Sequence, residues 1–203
     1  MTTTVIFDLF GTLIKLGTDS KPFPKLAKRS GMFNVREALQ LSLINNCPNL
    51  GNYANLIGLE PQKDIEKLES QLQQDLSSSI LYEDALPLLQ LLRNKGIKTV
   101  LISNLATPYK RVIDDFKLEK YFSSTIFSCD FGVSKPDSKI YQFALNEVQS
   151  SPSETIMVGD SYLSDVEGPE KIGIKGIHLM RESCVKLGVN SIGSLDELLG
   201  EAI

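Results

Sequence analysis

Apolar residues along this chain fall into short runs separated by turn-forming residues, and the runs follow two periods. Continuous apolar stretches over 4–9, 97–102, 125–128, 154–158 and 175–179 predict five buried strands. Between them apolar positions recur at helical steps. Asp84 to Lys95 gathers Leu86, Leu88, Leu89, Leu91 and Leu92 on its buried side and stops at Gly96. Lys139 to Gln149 aligns Ile140, Phe143, Ala144 and Val148. A short helix is expected over Ser164 to Lys171, ahead of Gly173 and interrupted by Pro169. A last one, Ser194 to Leu199, opens with Ser194 and Glu197 at capping-box spacing. Strands that alternate with helices imply an α/β fold with a parallel sheet covered on both faces.

The alternation fails after the first strand. Residues 16–80 contain no convincing strand and read as helices separated by Pro22, Pro24, Pro48 and Pro61. The clearest helix runs from Pro61 to Leu76, with Ile65, Leu68, Leu72 and Leu76 at three- and four-residue steps. Some 60 residues of helix exceed an ordinary crossover. The division expected is an α/β core from 1–15 and 82–203, with a helical insertion over 16–81.

Composition narrows the function classes. A chain of 203 residues is long enough for a full hydrophobic core. Its net charge of −4 and lack of any basic block argue against nucleic acid as a partner. No apolar run approaches the ~20 residues of a membrane span, so no membrane partner is expected. The first strand starts close to Met1, which leaves no room for a signal peptide. Cys47, Cys129 and Cys184 are scattered and odd in number, which suits reduced thiols in the cytoplasm. His178, the single histidine, sits in a strand pattern and is taken as structural. A histidine-rich metal site is thereby excluded.

Candidate chemistry clusters at strand ends, where an α/β sheet places its ligands. Asp8 leaves the first strand into a turn carrying Gly11 and Thr12. Ser103 and Asn104 end the second strand, a position that would equally suit the N-cap of a following helix. Lys135 and Pro136 follow a loop, with Tyr141 five residues on from Pro136. Gly159-Asp160 ends the fourth strand, and Asp165 comes as a helix begins. Asp165 in a first turn is also what the helix dipole alone would favour.

Taken in order, these four segments resemble the motifs of the haloacid dehalogenase (HAD) superfamily of aspartate-nucleophile hydrolases. The resemblance spans most of the chain. It implies a Rossmann-like parallel sheet, the HAD core, with residues 16–81 as a small helical cap closing over the active site. Asp8 becomes the nucleophile, which splits one hard displacement into two steps through a covalent intermediate. Ser103 is placed to donate to a phosphoryl oxygen, and Asn104, Thr12 and Gly11 to lie at the substrate. Lys135 screens Asp8 from an anionic substrate. Asp8, the main-chain carbonyl of Phe10 and Asp160 become direct ligands of Mg²⁺, with Asp165 binding directly or through water. The substrate implied is a phosphorylated small molecule. Oligomeric state leaves no trace in the sequence.

One position departs from the phosphatase pattern. Phe10 stands where HAD phosphatases carry the aspartate that protonates the leaving group and then activates water. Such help is worth ~10²–10⁴ in rate, so a good leaving group should suffer least from its loss. Asp8-Leu9-Phe10-Gly11-Thr12 instead resembles the first motif of HAD haloacid dehalogenases, which have an aromatic residue there and need no metal. Gly159-Asp160, by contrast, is the phosphatase form. Asp160 beside Asp8 would set two carboxylates together and weaken the nucleophile unless a cation lay between them. The expectation is therefore a Mg²⁺-dependent phosphatase. A 2-haloacid dehalogenase-like hydrolase and a non-catalytic HAD-like binding protein are the alternatives.

Overall fold

A computed structural model describes residues 2–60, 64–181 and 190–201. Six strands form one parallel sheet in the order β5-β4-β1-β6-β7-β8. They are β1 (Thr4–Phe7), β4 (Lys98–Ser103), β5 (Ser124–Phe127), β6 (Thr155–Gly159), β7 (Lys175–Leu179) and β8 (Ser191–Ile192). β1 and β6 are central, and every residue of both is buried, as strands covered on both faces require. The alternate side chains of β1 serve opposite layers. Val5 and Phe7 join Leu88, Leu89 and Leu92 of α5 (Ala85–Asn94). Ile6 joins Ile140, Tyr141 and Ala144 of α8 (Ser138–Val148) on the other face.

The register of the sheet sets up the site. Phe7 lies opposite Leu101 of β4 and Val158 of β6. The three strands therefore run out along one edge, which delivers Asp8, Ser103 and Asp160 to neighbouring positions. β1 ends two residues earlier than its apolar run suggests. Asp8 still donates its N–H to the Val158 carbonyl at 3.0 Å, but Leu9 already serves a tight turn. The Leu9 carbonyl accepts from Leu13 and Ile14, at 2.8 and 2.9 Å.

Residues between β1 and α5 form α1 (Pro22–Ala27), α2 (Val35–Ile44), α3 (Leu50–Leu56) and α4 (Ile65–Ser77). The predicted 61–76 helix begins at Ile65; its first three positions lie outside the described residues. α2 opens on a reciprocal Asn34/Glu37 capping box. Buried Asp75 of α4 ties down the incoming chain, accepting from Thr18 Oγ1 at 2.7 Å and Ser20 Oγ at 2.6 Å. At the two ends of this helical segment, β2 (Ile14–Lys15) and β3 (Ile80–Leu81) pair antiparallel. Two residues apiece are too few to show a period, so these strands have no sequence signal; β8 escapes for the same reason.

The expected 164–171 helix is also different. Tyr162–Glu167 forms a wide π-type turn, followed by a single α-turn, α9 (Gly168–Glu170). Pro169 has no N–H to continue a regular ladder, and the widened turn lets Asp165 fold back toward the strand end. The last helix starts as a 3₁₀ turn, Leu195–Glu197, and continues as α10 (Leu198–Glu201), with Glu197 accepting from the Ser194 N–H at 3.2 Å. Among the described residues, no helix is long and apolar enough to cross a membrane.

Candidate active site

Lys135 is the centre of the site. It sits between α7 (Ser128–Phe131) and α8, and its ammonium lies 2.7 Å from Asp8 Oδ1 and 2.7 Å from Asp165 Oδ1. All three groups are buried. A lysine reaches this position because its main chain is held. Asn104 donates from Nδ2 to the Lys135 carbonyl and accepts from the Lys135 N–H, both at 2.8 Å. The second oxygen of Asp165 accepts from the Ser161 N–H at 3.0 Å. Tyr141 steadies that turn by donating to the Ser164 carbonyl at 2.5 Å. The Lys-Pro-x-x-x-x-Tyr frame therefore works as a mechanical unit, with the lysine and tyrosine converging on the same turn from two sides.

Two glycines make the close approach possible. A Cβ on Gly159 would fall 2.1 Å from Asp165 Oδ2, so only glycine lets Asp165 tuck beneath the end of β6. Gly11, at φ +84°, presses against the Asp160 carboxylate, where a Cβ would meet Oδ2 at 2.3 Å. Asp8, Asp160 and Asp165 thereby bring one carboxylate oxygen each within 4.8 Å of one another. Thr12 donates weakly to Asp8 Oδ2, at 3.4 Å.

Three carboxylates share one ammonium here, and their titration registers the excess. Burial pushes the Asp8 carboxyl up to about 7; Lys135 opposes this, while Asp165 and Asp160 add to it. Asp160 is raised too, first by burial and then by Asp165. Burial alone would discharge Lys135, but Asp165 and Asp8 outweigh it and hold the ammonium above the ordinary lysine range. The donor set is all oxygen and carries surplus negative charge, which fits a hard divalent cation such as Mg²⁺.

Of the residues singled out from sequence, Asp8, Lys135, Asp160 and Asp165 come together, with Gly11 and Thr12 packed against them. Ser103 ends β4, buried at the same edge. Asn104 has a part that its position does not suggest, since both ends of its amide hold the Lys135 main chain. His178 does more than fill a strand: its Nε2 donates to the Asp160 carbonyl at 3.0 Å. Arg181 gave no sequence signal. It donates to the Thr12 carbonyl at 2.6 Å, pairs with Asp84 at 2.9 Å and stacks 3.7 Å from the Tyr82 ring centroid. Its partners are scattered along the chain, so only the fold reveals this bracing of the Gly11–Thr12 turn.

Residues 2–173 match the family described as haloacid dehalogenase-like hydrolase. The chain belongs to that family. It is 29% identical over 122 residues to the haloacid dehalogenase-like hydrolase domain-containing protein 3 of Mus musculus, covering 59% of this chain and 49% of that protein. The chain thus spans about half the length of the curated relatives it matches. A HAD phosphatase from Thermococcus onnurineus superposes with a TM-score of 0.69 at 23% identity, covering 99% of both chains. The L-2-haloacid dehalogenase from Xanthobacter autotrophicus superposes with a TM-score of 0.68 at 16% identity, covering 98% of this chain and 97% of that one. Among haloacid dehalogenase-like hydrolases, then, the fold is shared equally with a phosphatase and a dehalogenase. It does not choose between their reactions.

Proposed function

We propose that this chain is a Mg²⁺-dependent phosphatase acting on a phosphorylated small molecule, with Asp8 as its nucleophile. One observation carries the reading: Asp160 is pressed by the Gly11 turn into a three-carboxylate cluster with Asp8 and Asp165. A dehalogenase has no use for that surplus of negative charge. Mg²⁺ held by Asp8, the main-chain carbonyl of Phe10 and Asp160 would neutralise phosphoryl charge and keep Asp8 ionised. Asp165 has both oxygens engaged by Lys135 and Ser161, which favours a contact through water. In the first step an Asp8 oxygen bonds to phosphorus as the bond to the leaving oxygen breaks, and that oxygen departs with the electron pair. Lys135 and Ser103 donate to the phosphoryl group as its charge spreads. Water then releases inorganic phosphate and restores the Asp8 carboxylate. The α1–α4 segment, joined through the β2–β3 pair, serves as the cap that sets specificity. Nucleic acid and membrane are not partners in this reading, and the free buried thiols of Cys47 and Cys129 suit the cytoplasm.

A second reading rests on Phe10, the aromatic residue a dehalogenase would carry. One experiment separates the two. Hydrolysis of p-nitrophenyl phosphate and acetyl phosphate is followed with Mg²⁺ and with EDTA, beside chloride release from 2-chloropropionate. Phosphate release that needs Mg²⁺ is the expected result. Chloride release indifferent to EDTA would put the dehalogenase first.

A further inference from the structure

A cavity of about 320 Å³ opens beside the catalytic cluster, between α1, α2 and the loop that follows β4. Its wall is Phe10, Phe23, Leu39, Leu43, Leu105 and Tyr109, with Leu16, Ala106, Ser42 and Asn104 completing it. Phe10 lies two residues beyond Asp8 and meets the Tyr109 ring edge-on at 5.7 Å. Asn104 is the residue that holds Lys135. The cavity therefore borders the position where Asp8 attacks.

Its chemistry is selective. Among the described residues, no acidic or basic side chain lines it. Two of its three polar side chains are already engaged: Asn104 with the Lys135 main chain, and the Ser42 hydroxyl donating to the Leu39 carbonyl at 2.7 Å. That leaves the Tyr109 hydroxyl, and a sugar or a polyol placed here would bury more hydroxyls than one group can pair, which costs ~1–3 kcal/mol for each left over. An apolar group costs nothing comparable. The volume is roughly twice that of the ~150 Å³ dry cavity known to admit benzene, enough for a ring with a short substituent.

We propose that the substrate's organic portion is apolar and occupies this cavity, so that the enzyme acts on an acyl or aryl monophosphate. The inference rests on the phosphatase reading and narrows it. The two features at position 10 point the same way. Phe10 supplies wall rather than acid, so the leaving oxygen departs unprotonated, and a carboxylate or phenolate does so readily. The dianionic monophosphate and the Asp8 carboxylate give an aspartyl phosphate and the free carboxylate or phenolate. Water then converts the aspartyl phosphate into the Asp8 carboxylate and H₂PO₄⁻. The anionic oxygen stays at the polar mouth of the cavity while the ring lies inside.

Benzoyl and acetyl phosphate differ little in leaving-group strength but greatly in apolar bulk. The Mg²⁺-loaded protein should show a kcat/KM at least about tenfold higher for benzoyl than for acetyl phosphate. Phenyl phosphate distinguishes the aryl from the acyl source, and glycerol 3-phosphate should be the poorest substrate of the set. Leu43→Gln, at a half-buried position of the wall, should collapse the benzoyl-to-acetyl ratio by about tenfold. Should that variant fail to fold, inhibition of the native protein by phenylphosphonate and methylphosphonate reads the same cavity without turnover. The phenyl compound should inhibit at about tenfold lower concentration. Phosphate release with benzoyl no better than acetyl phosphate, or with glycerol 3-phosphate preferred, overturns the inference and leaves the phosphatase reading standing. No phosphate release from any of the four overturns both.

Discussion

The acid cluster and the apolar cavity beside it are built by opposite rules. Asp8 and Asp160 leave the ends of β1 and β6, where the parallel register fixes their place, and Asp165 and Lys135 reach them from the turn after β6 and the loop before α8. The cavity wall comes from helices α1 and α2, the loop after β4, and Phe10 and Leu16 beyond β1. One region concentrates charge, with Asp8, Lys135 and Asp165 buried and joined by hydrogen bonds and the exposed Asp160 set against the Gly11 turn. The other excludes charge and leaves its shape to apolar packing. A site divided in this way can keep its reaction while its specificity drifts, because changing a leucine of the wall does not disturb the register that aligns Asp8 with Asp160.

The sharpest way to break the two apart is Asp8→Asn. Turnover of every phosphate ester should fall by about 10⁴-fold or more, the scale seen when a nucleophile is removed. The fold should persist, because Asn104 and Asp165 still hold Lys135 and a carboxyl that burial disfavours has gone. Thermal melting and a phosphate assay check this together. Persistent activity in a rigorously purified variant would remove Asp8 as nucleophile.

Phe10 belongs to both regions, and Phe10→Asp should therefore move them in opposite directions. An acid at this position would supply the missing proton, raising hydrolysis of alkyl phosphates by roughly 10–10²-fold, the lower part of the general acid–base range. Acyl phosphates, whose leaving groups need no proton, should gain nothing. They should lose part of their preference for bulky apolar groups, because the ring contact to Tyr109 disappears. A folded variant without any gain on alkyl phosphates would mean that geometry, and not the absent acid, limits the reaction.

The contrast also explains what could be read from sequence. Five strands of the main sheet are legible as apolar runs, and Asp8, Lys135, Asp160 and Asp165 are legible because their order and spacing match a known set of motifs. The cavity is not. Leu39 and Leu43 stand four apart on α2, and that spacing is the ordinary signature of a core face, so nothing marks them as a wall left open. The pattern predicts a regular helix over Ser164 to Lys171 and misses the π-type turn at Tyr162–Glu167, because periodicity does not report the backbone rearrangement that Gly159 permits. Arg181 braces Thr12 through a contact between residues 169 apart in sequence. Asn104 was placed correctly at the mouth of β4, yet its partner is a main chain, which no motif records.

Asn104 can be tested directly, because its two possible parts predict different kinetics. Asn104→Ala removes both hydrogen bonds that hold the Lys135 main chain. If it positions Lys135, kcat should fall by about tenfold with KM nearly unchanged, since the lost alignment matters most in the transition state. Stability should drop as well, by roughly 1–3 kcal/mol for the Lys135 groups left unpaired. A raised KM with kcat intact would return Asn104 to the substrate.

The smallest effect belongs to Thr12→Val. The Thr12 hydroxyl reaches Asp8 Oδ2 at 3.4 Å, near the limit of a hydrogen bond, whereas Lys135 reaches the other oxygen at 2.7 Å. Valine matches threonine in shape, and the hydroxyl itself is buried, so the substitution removes one weak interaction while leaving the packing intact. The turn is held instead by the Thr12 carbonyl, which accepts from Arg181 whatever the side chain. Turnover should therefore fall by no more than about threefold, the worth of a hydrogen bond stretched to the limit of its geometry. A loss of about a hundredfold would show that Asp8 is aligned by Thr12 rather than by the ammonium, and that the cluster's geometry rests on the turn as much as on the sheet.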